Sequence, residues 1–151
     1  MRSLMKAVLQ RVHSAKVKVN NEIVGRCQKG WFVLLGVTHD DTMDDTERLC
    51  QKIIKLRAFN DEQGKMNLDV QAIKGSLLVI SQFTLYGDTR KGNRPSFLDA
   101  AKPEQAKALY EAFISKIRES QLPVESGVFG AHMDIETHCD GPVTIILDSR
   151  V

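Results

Sequence analysis

The first forty residues alternate between apolar and polar positions in the manner of β-strands. The alternation is clear at residues 7–9 and 17–19, and residues 31–37 form a nearly continuous apolar run between two glycines. Such patterns place one or both faces of a strand in a core. With a turn at Asn20-Asn21, residues 5–38 are predicted to form three or four strands.

Two later segments have the three- and four-residue period of amphipathic helices. The first runs from about Thr42 to Ala58, with acidic residues early and basic residues late, as the helix dipole favours. The second begins at Pro103, because proline suits a first helical turn, and ends before Pro123. Its predicted inward stripe is Ala106, Leu109, Tyr110, Phe113 and Ile117.

The rest of the chain returns to β patterns. Residues 61–64 are typical of a turn, and the apolar run from Ser76 to Leu85 predicts a strand. Two final strands, 133–138 and 143–148, are predicted to flank a turn at residues 139–142. No linker, repeat or low-complexity tract is present, so residues 1–151 are predicted to form a single α/β domain with mixed sheets and two main helices.

Charge and cysteine usage exclude several classes of protein. The 151 residues carry 21 basic and 19 acidic side chains, a net charge of +2, which excludes a strongly basic nucleic-acid coat. Three cysteines without a C-x-x-C pair, Cys27, Cys50 and Cys139, fit neither a disulfide scaffold nor a four-ligand zinc site. Polar residues interrupt the N-terminal apolar stretch, so we expect a cytoplasmic protein without a signal peptide or membrane span.

Motif searches narrow the chemistry further. Neither nucleotide-binding glycine loop is present, and the serine-hydrolase elbow G-x-S-x-G is absent. Four ionisable residues share one predicted strand face, namely Asp134, Glu136, His138 and Asp140. They could serve a metal or acid–base chemistry, but a solvated face is the simpler interpretation, because the opposite face is apolar: Met133, Ile135 and Cys139.

Polar residues directly after the most apolar strand indicate a possible site. Ser81, Gln82 and Thr84 stand where a strand end with exposed amides could bind an oxyanion, although a simple strand edge has the same pattern. The segment 140–144 contains Gly-Pro, a turn signal compatible with a cis bond or with an ordinary hairpin. The only concentrated basic loop carries Arg90, Lys91 and Arg94, a composition suited to phosphates or to a solvated loop.

Three separated motifs together resemble the D-aminoacyl-tRNA deacylase family, also called D-tyrosyl-tRNA deacylase. They are Ser81-Gln82-Phe83-Thr84-Leu85, the loop 91–95, and Gly141-Pro142-Val143-Thr144. Matches at 10–12, 61–68 and 127–133 extend the resemblance over residues 5–148. It implies a homodimer of a three-layer β/β/α fold, which hydrolyses the ester between a D-amino acid and the terminal adenosine of tRNA without metal or cofactor.

The resemblance also implies roles for individual residues. Catalysis falls on Ser81, Gln82, Phe83 and Thr84, where backbone amides polarise the ester carbonyl and the Thr84 hydroxyl positions groups without attacking. Substrate binding falls on Gly141, Pro142, Arg11, Phe129 and Met133. The carbonyls of a cis Gly141–Pro142 bond hold the ammonium group in the partner subunit's pocket, and Arg11 braces that segment. Phe129 and Met133 line the pocket for the adenosine or the aminoacyl group.

One position departs from the family's pattern. The last motif usually reads Asn-x-Gly-Pro-x-Thr, and Cys139 replaces the asparagine here. A thiol is a weak donor and a poor acceptor, so the hydrogen bonds of an asparagine amide are not expected at this place. Two other classes stay open from sequence: an RNA-binding module that edits nothing, and a metal-dependent deacylase using Asp134, Glu136 and His138.

Overall fold

A 14-residue strand, β1 (Lys6–Val19), is the centre of the sheet in the computed structural model, which describes residues 4–150. At Asn20 and Asn21 the φ angles are 49° and 66°, values that asparagine tolerates and that suit a tight hairpin. The chain returns as β2 (Glu22–Cys27), antiparallel to the second half of β1. β3 (Gly30–Gly36) then pairs antiparallel with the first half. The predicted N-terminal strands are confirmed.

The remaining elements complete a mixed sheet and two helices. In chain order they are α1 (Met43–Lys55), β4 (Phe59–Asn60), β5 (Met66–Leu68), β6 (Ser76–Ser81), a 3-10 turn (Phe83–Tyr86), α2 (Pro103–Glu119), β7 (Val124–Ser126) and β8 (Asp134–Asp148). β6 and β7 extend the sheet in parallel from β3, β8 pairs with β1, and β4 and β5 form a separate small hairpin.

Alternate residues of β3 belong to two different cores. Trp31 and Val33 pack in a large cluster with both helices, whereas Phe32 packs in a smaller cluster on the opposite face. The smaller cluster includes Val12 and Val17, because the second half of β1 crosses over the sheet together with β2. Helices, central strands and folded-back strands therefore form three layers, and the expected β/β/α arrangement is confirmed.

Both helices are shorter than the sequence pattern predicts. A capping box between Thr42 and Asp45 starts α1, and the chain turns extended at Leu56. α2 ends at Glu119, and Gln121 adopts a positive φ of 70°. The predicted stripe on α2 is confirmed, since all five of its members are buried: Ala106, Leu109, Tyr110, Phe113 and Ile117.

Two predicted strand boundaries are wrong. The strand predicted from Ser76 to Leu85 ends at Ser81, because the Gln82 amide makes the last sheet hydrogen bond, to the carbonyl of Leu35 at 2.8 Å, and the chain then coils. The two predicted final strands form one continuous strand, β8, with Gly141 and Pro142 inside it. Shifts in the pairing with β1 accommodate this segment, so no hairpin forms there.

On the predicted ionisable face of β8, Asp134, Glu136 and His138 are exposed, whereas Asp140 is half-buried against Arg11, with Oδ2 3.3 Å from Nε. The face opposite is not buried either. Glu136 pairs with Lys16 at 3.0 Å, and Ile135 and Cys139 are both exposed. Strand β7 was not predicted. Within residues 4–150, no helix combines the length and the apolar character that a membrane span requires.

Candidate active site

A pocket of about 700 Å³ lies where the end of β6 meets the beginning of α2. Five residues that the sequence assigns to the site line it together: Ser81, Gln82, Phe83, Phe129 and Met133. The other seven lie outside its wall: Arg11, Thr84, Arg90, Lys91, Arg94, Gly141 and Pro142. The pocket therefore joins the predicted oxyanion segment to the predicted adenosine wall, which are about fifty residues apart in the chain.

Backbone amides lie where β6 ends, at Gln82 and Phe83 in the pocket wall and at Thr84 directly after them. The Gln82 amide is committed to the sheet, so it cannot also donate to a ligand. The amides of Phe83 and Thr84 open the 3-10 turn, and among residues 4–150 neither donates to another backbone group. Of the amides in the predicted Gln82-Phe83-Thr84 segment, those of Phe83 and Thr84 therefore remain as donors for a ligand.

Side chains around this turn fix its surface. The Gln82 side-chain amide donates to the Thr84 hydroxyl, which holds both groups against each other. The Phe83 ring is 55% exposed and meets the Phe97 ring edge to face, with centroids 5.2 Å apart. Because Phe97 also lines the pocket, these two rings form one side of its mouth.

The apolar wall is built on buried supports. The Phe129 ring lies 6.0 Å from the ring of Tyr110, whose hydroxyl donates to the Val79 carbonyl at 2.8 Å. The Met133 side chain packs directly on the backbone of Gly127, where a Cβ would lie only 2.5 Å from the methionine Sδ. Glycine at position 127 therefore permits Met133 to reach the wall.

Several wall residues were not predicted from sequence. They are Phe97, Ala100, Ala101, Pro103, Ala106 and Ile135. The loop before α2 is held in place by the Ala101 amide, which donates to the Val37 carbonyl at 2.9 Å. Only Pro103, as the first residue of a helix, carried a signal that its neighbourhood was an element boundary. His132 lines the pocket as well, with Nε2 3.8 Å from Asp134 Oδ1.

Arg11 lies under the Gly141–Pro142 segment. Its Nη1 donates to the Ala58 carbonyl at 2.8 Å and to Asn60 Oδ1 at 3.1 Å, and its Nε donates to the Asp140 carbonyl at 3.2 Å. The expected contact between Arg11 and this segment is present. The Gly141–Pro142 bond is cis, as the resemblance implies. Gly141 has a φ of 136°, a region that side chains disfavour.

The cations of the basic loop do not line the pocket. Asp88 and Ser96 join its two ends through reciprocal backbone hydrogen bonds of 2.8 and 2.9 Å. Arg90 binds Asp88 with Nε and Nη2 at 2.9 and 2.8 Å, and these hydrogen bonds lower the pKa of Asp88 to about 2. Lys91 and Arg94 are exposed and form no ion pair within the described part of the chain. The loop thus offers two unpaired cations and one paired cation.

None of the three thiols is placed as a nucleophile in the pocket. Burial raises the pKa of Cys27 to about 11 and that of Cys50 to about 12. Cys139 is exposed on β8, with Sγ 3.9 Å from Gln10 Oε1 and 3.8 Å from Thr137 Oγ1. Among residues 4–150, no three His, Cys, Asp or Glu side chains are grouped so that they could hold a metal ion.

Comparisons with known proteins agree with this arrangement of motifs. Residues 8–148 match the family described as D-Tyr-tRNA(Tyr) deacylase. A D-aminoacyl-tRNA deacylase of Fervidobacterium nodosum is 56% identical over 146 residues, which are 97% of this chain and 98% of that protein. A D-aminoacyl-tRNA deacylase of Clostridium botulinum is 58% identical over 145 residues, 96% of this chain and 97% of that protein.

A solved structure agrees as well. The structure described as c-Myc DNA Unwinding Element Binding Protein superposes with a TM-score of 0.90 at 40% identity, covering 97% of this chain and 99% of that chain. The fold therefore extends over nearly the whole of both molecules. The family match spans both sides of the pocket, from the strand that carries Arg11 to the strand that carries Gly141 and Pro142. The chain belongs to the D-Tyr-tRNA(Tyr) deacylase family.

Proposed function

We propose that the 700 Å³ pocket is where this D-aminoacyl-tRNA deacylase hydrolyses the ester of its substrate. The pocket has an apolar wall for the aminoacyl-adenosine end. The amide of Phe83, which lines the pocket, and the amide of Thr84, the next residue, would bind the carbonyl oxygen. Two amides that donate no backbone hydrogen bond within residues 4–150 lie beside an aromatic wall, and this observation carries the proposal. Free D-amino acid and tRNA are the products.

The chemistry proposed for the pocket is oxyanion stabilisation. Water adds to the ester carbonyl carbon, and negative charge develops on the carbonyl oxygen, where the amides of Phe83 and Thr84 donate. Collapse of the tetrahedral intermediate expels the ribose oxygen, which takes up a proton as the carboxylic acid forms. Removal of one oxyanion donor typically costs about 10²–10³ in rate, so two amides can supply much of the catalysis.

Thr84 is assigned a positioning role in this mechanism. Its hydroxyl receives a hydrogen bond from the Gln82 side chain, and no lysine or histidine hydrogen-bonds to it within residues 4–150. A hydroxyl nucleophile needs a base to remove its proton. The Gln82 contact instead orients the turn whose amides act, and Ser81 joins that turn to the sheet.

The proposal includes a homodimer whose two active sites are completed across the interface. Gly141 and Pro142 are exposed and lie outside the wall of their own protomer's pocket. Ile135, on the same strand, lines the pocket and is still 36% exposed. A second copy seated along β8 would cover this surface and bring the Gly141–Pro142 carbonyls to the substrate ammonium group.

Selection for D-amino acids follows from this geometry. Fixing the ammonium, the ester carbonyl and the adenosine leaves one direction at the α-carbon for the side chain. A D side chain points out of the site, whereas an L side chain collides with the Gly141–Pro142 segment. Glycine has no side chain to exclude, so glycyl-tRNA is a proposed substrate.

The basic loop with Lys91 and Arg94 contacts tRNA phosphates. The reaction takes place in the cytoplasm.

Hydrolysis of D-tyrosyl-tRNA and L-tyrosyl-tRNA, measured side by side, tests the proposed function. We expect release of free D-tyrosine and an intact L-ester. A protein that retains D-tyrosyl-tRNA without release of the amino acid would be an RNA-binding module instead. Loss of activity with a chelator, and its recovery with added metal, would favour the metal-dependent alternative based on Asp134, Glu136 and His138.

A further inference from the structure

A second, smaller pocket of about 320 Å³ adjoins the first pocket along α2. Phe129 belongs to the walls of both pockets, so one ring separates them. The first pocket is lined by the beginning of α2, at Lys102, Pro103 and Ala106, and the second is lined by the helix from Lys107 to Arg118. The two pockets thus follow one another along the helix axis.

The second pocket has an apolar floor with polar groups around it. Phe129 and Val128 provide its accessible apolar surface, and the nearly buried side chains of Tyr110 and Ile114 support it from beneath, with the Tyr110 and Phe129 ring centroids 6.0 Å apart. Ser115 and Ser126 line the same pocket. Aromatic and apolar surface of this kind receives an unpaired nucleic-acid base, and the polar edge suits base or ribose hydroxyls.

Two cations lie at opposite ends of this pocket. Eleven residues separate Lys107 from Arg118, about 16 Å along a helix at 1.5 Å per residue. Lys107 lies toward the first pocket and shares a 4.0 Å ion pair with Glu111. Arg118 is exposed at the far end and has no ion pair within the described residues. Guanidinium groups bind phosphate oxygens with two hydrogen bonds.

We propose that the second pocket binds the nucleotide that precedes the terminal adenosine of tRNA, a cytidine in every tRNA. This inference rests on the proposed function, which places the adenosine against Phe129 in the first pocket. The cytosine base lies against the Phe129 ring, and Arg118 contacts the 5′-phosphate of that nucleotide. Lys107 faces the phosphate that joins the last two nucleotides, and Glu111 partly cancels its charge.

The positions of the cations favour a tRNA acceptor end that follows α2 over one that follows the basic loop. Arg90, Lys91 and Arg94 line neither pocket, whereas Lys107 and Arg118 line the second pocket directly. The loop is instead available to a more distant part of the tRNA. The acceptor end therefore runs along α2 toward its C-terminus, and the two groups of cations have different targets.

Substrates of different length test the inference. D-tyrosine is esterified to adenosine, which lacks the preceding nucleotide, and to the trinucleotide CpCpA, which has it with its 5′-phosphate. For the wild-type protein we expect kcat/KM to be higher on the trinucleotide. In Arg118→Ala we expect the trinucleotide advantage to fall by about two- to fivefold, the range for one charged contact at an exposed site. Activity on the adenosine ester should not change.

Two further variants make the result specific. Glu111→Gln removes the acid that offsets Lys107 and should increase the trinucleotide advantage, the opposite sign from Arg118→Ala. Lys116→Ala is the matched control, because Lys116 is a cation of the same helix that pairs with Glu47 and Glu119 and lines neither nucleotide pocket. It should leave the trinucleotide advantage unchanged.

The possible outcomes separate the two proposals. Hydrolysis of both esters with equal kcat/KM, or an advantage that Arg118→Ala preserves, overturns the second pocket and leaves the deacylase function intact. An advantage that disappears in a Lys91→Ala, Arg94→Ala double variant but survives in Arg118→Ala would assign the nucleotide to the basic loop and also overturn it. If the protein hydrolyses neither of the two esters and also fails to hydrolyse D-tyrosyl-tRNA, the proposed function itself is contradicted.

Discussion

The side chain of Arg11 donates from Nε to the backbone carbonyl of Asp140 at 3.2 Å, although 129 residues separate them in the chain. The same guanidinium is anchored from below by the Ala58 carbonyl and the Asn60 side chain. Only 6% of Arg11 is exposed, so these hydrogen bonds are sheltered from water. The residue before Gly141 is therefore fixed to the centre of the fold by one planar group.

Replacing Arg11 should disturb both stability and activity. Arg11→Ala leaves several buried acceptors without a donor, a loss of about 2–4 kcal/mol in the free energy of unfolding. We expect kcat/KM for D-tyrosyl-tRNA to fall by about 10- to 100-fold, and Arg11→Lys to recover stability only in part. Urea denaturation and deacylation kinetics measure the two effects. His13→Ala is the control, because that exposed ring lies 3.7 Å from Asp140 and should matter little.

Thr84→Ala should leave measurable deacylation. The variant keeps the backbone amides of the 3-10 turn and loses only the hydroxyl that accepts from Gln82. We expect kcat to fall by about tenfold or less, as for a group that orients others. Rapid-quench kinetics with labelled D-tyrosyl-tRNA measure the effect. Complete loss of activity, together with an acyl-enzyme trapped on Thr84 of the wild-type protein, would refute the positioning role.

The three cations of the basic loop should contribute unequally to tRNA binding. Arg90 is held by Asp88, so Arg90→Ala should weaken binding less than Lys91→Ala or Arg94→Ala. A triple alanine variant should bind tRNA more weakly and show a shallower dependence of log Kd on log salt, by about 0.7–0.9 for each phosphate that it no longer neutralises. The rate at saturating substrate should not change. A triple variant with the wild-type affinity and salt slope would leave the loop as ordinary solvated surface.

Glycyl-tRNA should be hydrolysed and L-alanyl-tRNA should be spared. The exclusion proposed for the Gly141–Pro142 segment acts on an L side chain, and even one methyl group suffices to collide with it. Both amino acids are charged onto the same tRNA body, so that tRNA binding is matched between the two assays. Comparable hydrolysis of the L-alanyl ester, or a fully resistant glycyl ester, is inconsistent with steric exclusion.

Asp45 should make the stability of the fold depend on acid pH. Burial raises the pKa of this carboxyl, but hydrogen bonds from Ser149, the Thr42 amide and Arg150 outweigh burial and hold the pKa below its usual value. Asp45→Asn should lose about 2–3 kcal/mol at pH 7. Because the native pKa is the lower one, this difference is complete above the unfolded value of about 3.9 and shrinks as pH falls through the native pKa.

Urea denaturation of both proteins between pH 7 and pH 3 measures this difference. Asp44→Asn is the matched control, since Asp44 is the preceding residue, is exposed, and within residues 4–150 has one ion pair, with Arg48 of the same helix. We expect the control to change stability by less than about 0.5 kcal/mol. A gap between wild type and Asp45→Asn that is as large at pH 3 as at pH 7 would show that the charge of Asp45 is not its cause.

Periodicity predicted the parts of the fold that depend on local burial. The stripe on α2 from Ala106 to Ile117 is buried as expected, because a helix presents every third or fourth residue to one neighbour. The boundary after Ser81 was missed because Phe83 and Leu85 continue the apolar pattern although the chain has already left the sheet. Nothing local distinguishes an apolar strand end from an apolar 3-10 turn.

Long-range pairing accounts for the other differences. Gly141-Pro142 is typical of a turn, yet β1 pairs with the chain on both sides of it and keeps one continuous strand. The motifs identified five residues of the pocket wall, but Ala100 and Ala106 have no chemical signal of their own. They reach the wall only because the loop before α2 is fastened to the end of β3. Such a placement depends on tertiary contacts and is not encoded in any short window.

Strand β8 pairs with β1 alone among residues 4–150, and its apolar residue Ile146 is 70% exposed. If a second copy covers this strand, the amount of working enzyme is set by mass action as well as by folding. Below the dissociation constant of the pair, the rate would rise with the square of protein concentration. Dilution would then dissociate the pair into inactive monomers, reversibly, although every residue of the pocket would still be folded in place.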